Sequence, residues 1–169
     1  MTIRMCGAAL TLLSGVLYAV KVTKEHRRKE ACFEELQLIL EHFVWQLQTN
    51  LSALPVCCQA AAGCGKGQMG NLFRQLALRL EQGSGADPGN CMEELVMAQN
   101  LPALLRQRLF QLADTLGRYD LSGQIAGIQA VQALCRRDLQ TLESERTKTV
   151  KSCRVLGLCT GAAVAILLL

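Results

Sequence analysis

Residues 20–51 read VKVTKEHRRKEACFEELQLILEHFVWQLQTNL, without a proline or a glycine. Within and just beyond this stretch Phe33, Leu36, Leu40, Phe43, Leu47, Leu51 and Leu54 recur at spacings of three and four. Residues so spaced stack on one face of an α-helix. Glu34, Glu35, Gln37, Glu41 and Gln48 fall elsewhere on the turn and predict a solvated side. The stretch predicts one long amphipathic helix reaching about Asn50 or beyond. It sets the fold class as all-α.

Upstream, Met5 to Val20 carries no charge, and at the other end Val155 to Leu169 carries none. Lys21, Lys24, Arg27, Arg28 and Lys29 follow the first run; Arg146, Lys148, Lys151 and Arg154 precede the second. Lys and Arg beside a span are retained on the cytoplasmic side. Both clusters therefore predict a cytoplasmic middle with both termini outside. A span takes about 20 apolar residues. The first run reaches this length if Arg4 and Lys21 snorkel from its ends. The second is shorter and crosses if Arg154 snorkels or the bilayer thins. A cleaved signal peptide would carry its charges before the apolar run, and here they follow it. The expected organisation is an N-terminal transmembrane helix over 1–22, a cytoplasmic helical domain over 23–152 and a C-terminal transmembrane helix over 153–169.

The chain has 18 Lys and Arg against 14 Asp and Glu. Between residues 31 and 145 the balance reverses, with 8 basic and 12 acidic residues. The basic surplus thus belongs to the membrane flanks and implies contact with lipid. A nucleic-acid binder would need a basic face on the middle, so nucleic acid is excluded as a partner. Nine cysteines are present, none in a C-x-x-C pair, with two histidines, His26 and His42. Zinc sites want paired ligands at short spacing. The cysteines read as small buried hydrophobes in a reducing compartment.

The remaining segments also carry helical spacing. Pro55 fits the first turn of a short helix to about Ala62. Gly63, Gly65, Gly67 and Gly70 then predict a flexible loop. Its string GCGKGQMG lacks a preceding strand and the Ser or Thr of a phosphate loop. Met69, Leu72, Phe73, Leu76 and Leu80 define the next helix, ended by Gly83. Asp87 is the expected N-cap of another, with Pro88 at its first position and Met92, Leu95 and Val96 inward. Leu105, Leu109, Leu112 and Leu116 follow Pro102, closed by Gly117. Asp120 caps the last helix, whose stripe is Leu121, Ile125, Ile128, Cys135, Leu139 and Leu142. The expected architecture is a compact bundle of about six helices, the first and last continuous with the transmembrane helices.

Chemistry is sparse. Arg118, Tyr119, Asp120 and Gln124 gather at a helix–helix corner. A lone carboxylate there lacks a positioned partner, so capping is its expected role. Glu34–Glu35 and Glu93–Glu94 are sequence neighbours whose side chains diverge on a helix. No nucleophile sits with a base, and no cofactor or metal is implied. The corner, with Glu93 and Glu94 next in line, is the candidate partner-binding surface. A membrane-anchored helical sensor or small-ligand-binding protein is the alternative.

Three stretches resemble the stage III sporulation protein AB family of endospore-forming bacteria. Leu54-Pro55 and its short helix are similar to the family's P-L-P-E-A-L region. Leu72-Phe73, Leu76, Leu80 and Gly83 are similar to its L-F-x-x-L…L-x-x-G helix. Leu116-Gly117-Arg118-Tyr119-Asp120 with Gln124 is similar to its L-G-x-x-D-x-x-x-Q corner. Cys57 and Cys58 depart from it, standing where an acidic residue is usual. The resemblance implies a non-enzymatic platform or scaffold in the channel complex between mother cell and forespore. It implies a domain similar to the F-type platform of type II secretion and type IV pilus systems, in the mother-cell membrane facing the forespore. The implied partners are a stage III sporulation protein AA-like ATPase and other channel components.

Overall fold

The computed structural model describes the backbone of residues 2–50, 52–83 and 87–168, and the side chains of 20–49, 52–83, 87–148 and 152. All regular structure among the described residues is helical: α1 (Thr2–Asn50), α2 (Leu54–Ala62), α3 (Gln68–Gln82), α4 (Pro88–Ala98), α5 (Ala103–Thr115) and α6 (Leu121–Leu168). The chain divides into two compact units inside the long helices. One is Ala31–Leu139; the other joins Met1–Glu30 to Gln140–Leu169.

Within Ala31–Leu139, α1 supplies a wide apolar face. Phe33, Leu36, Leu40, Phe43 and Leu47 are buried as their spacing predicts, and Ile39 and Val44 widen the stripe. Phe43 meets Phe73 of α3 edge to face, with ring centroids 6.4 Å apart. Such a pair contributes about 0.5–1.5 kcal/mol beyond its buried area. Met69, Leu72 and Leu76 of α3, Met92, Leu95 and Val96 of α4, and Leu105, Leu109 and Leu112 of α5 complete this side of the core.

The expected continuation of the α1 stripe to Leu54 fails. Ala53 takes ψ 147°, and Leu54 begins α2 instead. Pro55 lacks the N–H that a continuing helix would use, and its ring would strike the carbonyl of residue 51. On α6 the buried positions among the described side chains are Gln124, Ile128, Val131 and Cys135. Leu121, expected in the core, is 40% exposed at the first position of α6. Asp87 stands at the N-cap of α4 with Pro88 behind it, but its side chain makes no capping hydrogen bond.

Residues 63–67 form a loop as expected while Gly70 falls in α3, and Glu35 is not merely part of a solvated face. The Glu35 carboxylate reaches from α1 to the start of α3 and accepts three backbone N–H groups. Gly67 and Gly70 donate to Oε1 at 2.5 and 3.1 Å, and Met69 donates to Oε2 at 3.3 Å. The first N–H groups of a helix have no partner within it, and the helix dipole favours an anion there. Gly67, at the N-cap of α3, has no side chain to serve them, so Glu35 caps α3 from another helix. Close approach explains the glycines. A Cβ on Gly67 would lie 2.6 Å from Glu35 Oε2, and one on Gly70 would collide with the Gly65 carbonyl. Gly70 itself lies in the first turn of α3 and is buried.

Cys32, Cys57, Cys58 and Cys135 are buried; Cys64 is exposed. Burial, aided by neighbouring Cys57, pushes the Cys58 thiol above the ordinary thiol range. Burial, with Asp138 adding to it, pushes Cys135 up to about 12.

In the unit of Met1–Glu30 and Gln140–Leu169, Arg146 Nη1 donates to Glu30 Oε2 at 2.7 Å. Lys29 pairs with Glu25 at 3.2 Å. The two apolar runs expected to span the membrane fall on residues whose side chains lie outside those described. Among the described residues no helix is long and apolar enough to cross a membrane.

Two outcomes follow from this packing. Glu35→Ala should lower the stability of a fragment over residues 29–148 by about 1.5–3 kcal/mol, as hydrogen bonds to a charged group do. Glu35→Gln, keeping one acceptor, should lose less; urea unfolding measures both. In the native protein at about pH 8, iodoacetamide should alkylate Cys64 and leave Cys58 and Cys135 unmodified, because the thiolate is the reactive form. Mass spectrometry of the digested product reads the sites.

Candidate partner-docking site

The corner between α5 and α6 is built by two helix-end devices. Leu116, buried, closes α5, its N–H donating to the carbonyls of Leu112 and Ala113 at 3.2 and 3.3 Å. Gly117 then takes φ +75°, the left-handed conformation that ends helices and that glycine adopts at no steric cost. Pro88 of α4 packs against it so closely that a Cβ would sit 3.0 Å from its ring. A Cβ on Gly89 would in turn lie 2.7 Å from the Ala113 carbonyl. The start of α4 and the end of α5 thus meet backbone to backbone under the corner.

Asp120 starts α6. Its Oδ1 accepts the Gly123 N–H at 3.1 Å, and its Oδ2 accepts the Ser122 hydroxyl at 2.5 Å. This is N-cap geometry. The Ser122 bond, then the Gly123 N–H, holds the Asp120 carboxyl below its ordinary pKa.

Arg118 and Tyr119 sit on the turn between these devices. Tyr119 is 60% exposed. Arg118 Nη1 meets Asp114 at 3.2 Å, an (i, i+4) pair exposed on both sides. Such pairs contribute about 0.3–0.5 kcal/mol, so Arg118 stays available to other anions. Gln124 does not share this surface. It is 8% exposed, and its Nε2 is buried without a hydrogen-bond partner.

Glu93 and Glu94 lie on α4 beyond Pro88. With Asn90 and Met97 they line an open depression, and Met97 is 67% exposed. Glu94 is engaged by Arg79 of α3 at 2.7 Å, a solvent-exposed pair. His42 lies beside the Trp45 ring, centroids 5.4 Å apart, with its Nε2 3.4 Å from Gln46 Nε2.

One polar feature had no sequence signal. Arg108 of α5 grips Asp138 of α6 with two bonds, Nε to Oδ2 at 2.6 Å and Nη2 to Oδ1 at 3.2 Å. Its third contact is Gln111 at 2.9 Å. The Asp138 hydrogen bond raises the Arg108 pKa. Both side chains are largely buried, and the pair joins α5 to α6 beside Cys135. Among the described residues no group of three His, Cys, Asp or Glu side chains is placed to hold a metal.

These features define an all-α helical-bundle protein with a capped corner bearing an arginine and an exposed tyrosine. The family model of stage III sporulation protein AB matches residues 4–169, and the chain belongs to that family, which gives it a role in sporulation. A solved structure of a stage III sporulation protein AB is similar in fold. It has a TM-score of 0.57 and 18% sequence identity, covering 75% of this chain and 97% of its own. No curated protein sequence matches.

The lowered Asp120 pKa sets a pH dependence. A carboxyl whose folded pKa is depressed stabilises the fold fully above its unfolded value, here 3.8. That contribution is lost as pH falls from there through the folded value. Asn caps a helix about as well as Asp but does not titrate. Asp120→Asn should therefore lose less stability than the wild type between neutral pH and about pH 3. Thermal midpoints at the two pH values check it.

Proposed function

We propose that this protein is a non-catalytic membrane scaffold of the sporulation channel complex between mother cell and forespore. Its helical domain docks a cytoplasmic, stage III sporulation protein AA-like ATPase. It is anchored in the mother-cell membrane by the two terminal apolar runs, with the domain in the cytoplasm and both termini outside. The basic flanks on the inner side of both runs support this topology.

The observation that carries the docking surface is Tyr119, 60% exposed beside Arg118 on a turn fixed by Gly117 and Asp120. Tyr and Arg are the residue types that anchor protein interfaces, and a turn held at both sides presents them at little ordering cost. The alternative surface is the Asn90–Glu93–Glu94–Met97 face of α4.

Arg118→Glu with Tyr119→Ala tests the assignment. It leaves the Asp120 cap in place, so the melting temperature should stay within a few degrees of wild type. The variant should lose the ATPase in pull-downs from detergent extracts of sporulating cells. Undiminished association would move the contact to the α4 face.

A further inference from the structure

We propose that Glu30 and Arg146 set the register of a two-helix membrane hairpin, and that this register gathers the basic residues of both arms into one collar for anionic phospholipid headgroups. The proposal rests on the two apolar runs being membrane spans. Met1–Glu30 and Gln140–Leu169 form one unit, so the N-terminal part of α1 lies against the C-terminal part of α6. The Arg146–Glu30 hydrogen bond, at 2.7 Å, marks one shared level between them. From that level Lys21, the last charge before the first run, is nine residues along α1. Arg154, the last charge before the second run, is eight residues along α6. At about 1.5 Å of rise per residue the two positions differ in height by about 1.5 Å. Both apolar runs therefore begin at one level, and the basic clusters beneath them share another.

The chemistry of Glu30 suits a register device. Its side chain is 7% exposed, yet only one oxygen is paired. Glu30 Oε1 and, one turn away, His26 Nδ1 are buried without partners. A half-satisfied buried carboxylate costs stability. The best-attested use of such a group between helices is to fix their alignment.

The same contacts clear the collar of negative charge. From the Glu30–Arg146 level to the two apolar runs the acidic residues are Glu25 and Glu30, taken up by Lys29 and Arg146, while Glu143 and Glu145 lie on α6 on the other side of that level. Lys21, Lys24, Arg27, Arg28 and Lys148 are exposed. Basic side chains abutting an apolar span draw anionic lipid headgroups additively. The acidic balance between residues 31 and 145 disfavours a long polyanion such as nucleic acid.

The test uses the full chain reconstituted in vesicles of equal parts phosphatidylcholine and phosphatidylglycerol. Lipid retained after mild detergent extraction is read by native mass spectrometry. The wild type should retain phosphatidylglycerol about tenfold over phosphatidylcholine, and Lys24→Gln/Arg27→Gln/Arg28→Gln/Lys148→Gln should retain the two about equally. Equal retention by the wild type, or undiminished preference in the quadruple variant, overturns the collar. Glu30→Leu with Arg146→Leu keeps the net charge and replaces the buried pair with apolar groups. It should stay folded and lose part of the preference; full preference overturns the register. Carbonate washing of the same vesicles separates the underlying reading. Protein released by carbonate refutes the spans, whereas protein that stays embedded without lipid preference refutes the collar alone.

Discussion

The contact between the Glu35 carboxylate and the glycine-rich start of α3 holds together the part of the domain that the other helices build upon. It satisfies three backbone N–H groups that no side chain of the α2–α3 connection serves. It also fixes α3 on α1, so that Phe43 meets Phe73 and the Leu72–Leu76 face closes the core. α3 in turn packs on α4, and α4 on α5. A carboxylate in a ring of backbone amides is a charge-assisted contact, roughly twice as strong as a neutral hydrogen bond. The glycines are its steric condition, because a Cβ at Gly67 or Gly70 would occupy space already filled by Glu35 or by the Gly65 carbonyl.

At the far end of this sequence of packed helices, the α5–α6 corner is defined by a different set of constraints. Gly117 supplies the left-handed turn, Pro88 backs it, and Asp120 captures the first amides of α6. Arg118 and Tyr119 occupy the two positions that these devices leave free. The Arg108–Asp138 pair braces α5 against α6 beneath them. A rigid turn carrying an aromatic ring and a guanidinium suits recognition.

Much of this was legible in the residues because it is local. The α1 stripe, the Leu105–Leu116 stripe, Gly117 as terminator and Asp120 as cap are set by neighbours within a few positions. The Glu35 contact was not legible, because its donors are backbone amides 32 to 35 residues away. The string GCGKGQMG does cradle an anion, and the anion is the chain's own side chain. Arg108 and Asp138, 30 residues apart, likewise carry no local mark. Hydrophobic spacing misplaced Leu121 and passed over Gln124 for the same reason. The core face of α6 is chosen by what packs against it, and a polar residue occupies one of its positions.

The Glu30–Arg146 bond joins residues 116 apart, whereas the contacts of Glu35 span at most 35. A ribosome emits α1 through α5 before Arg146 exists. The short-range pairings of α2 with α3 and α4 with α5 are cheap in loop entropy and form early. The N-terminal arm must wait through that interval without its partner, its buried acid at Glu30 still hydrated. Closure of the two arms therefore comes after the pairings of α2 with α3 and of α4 with α5.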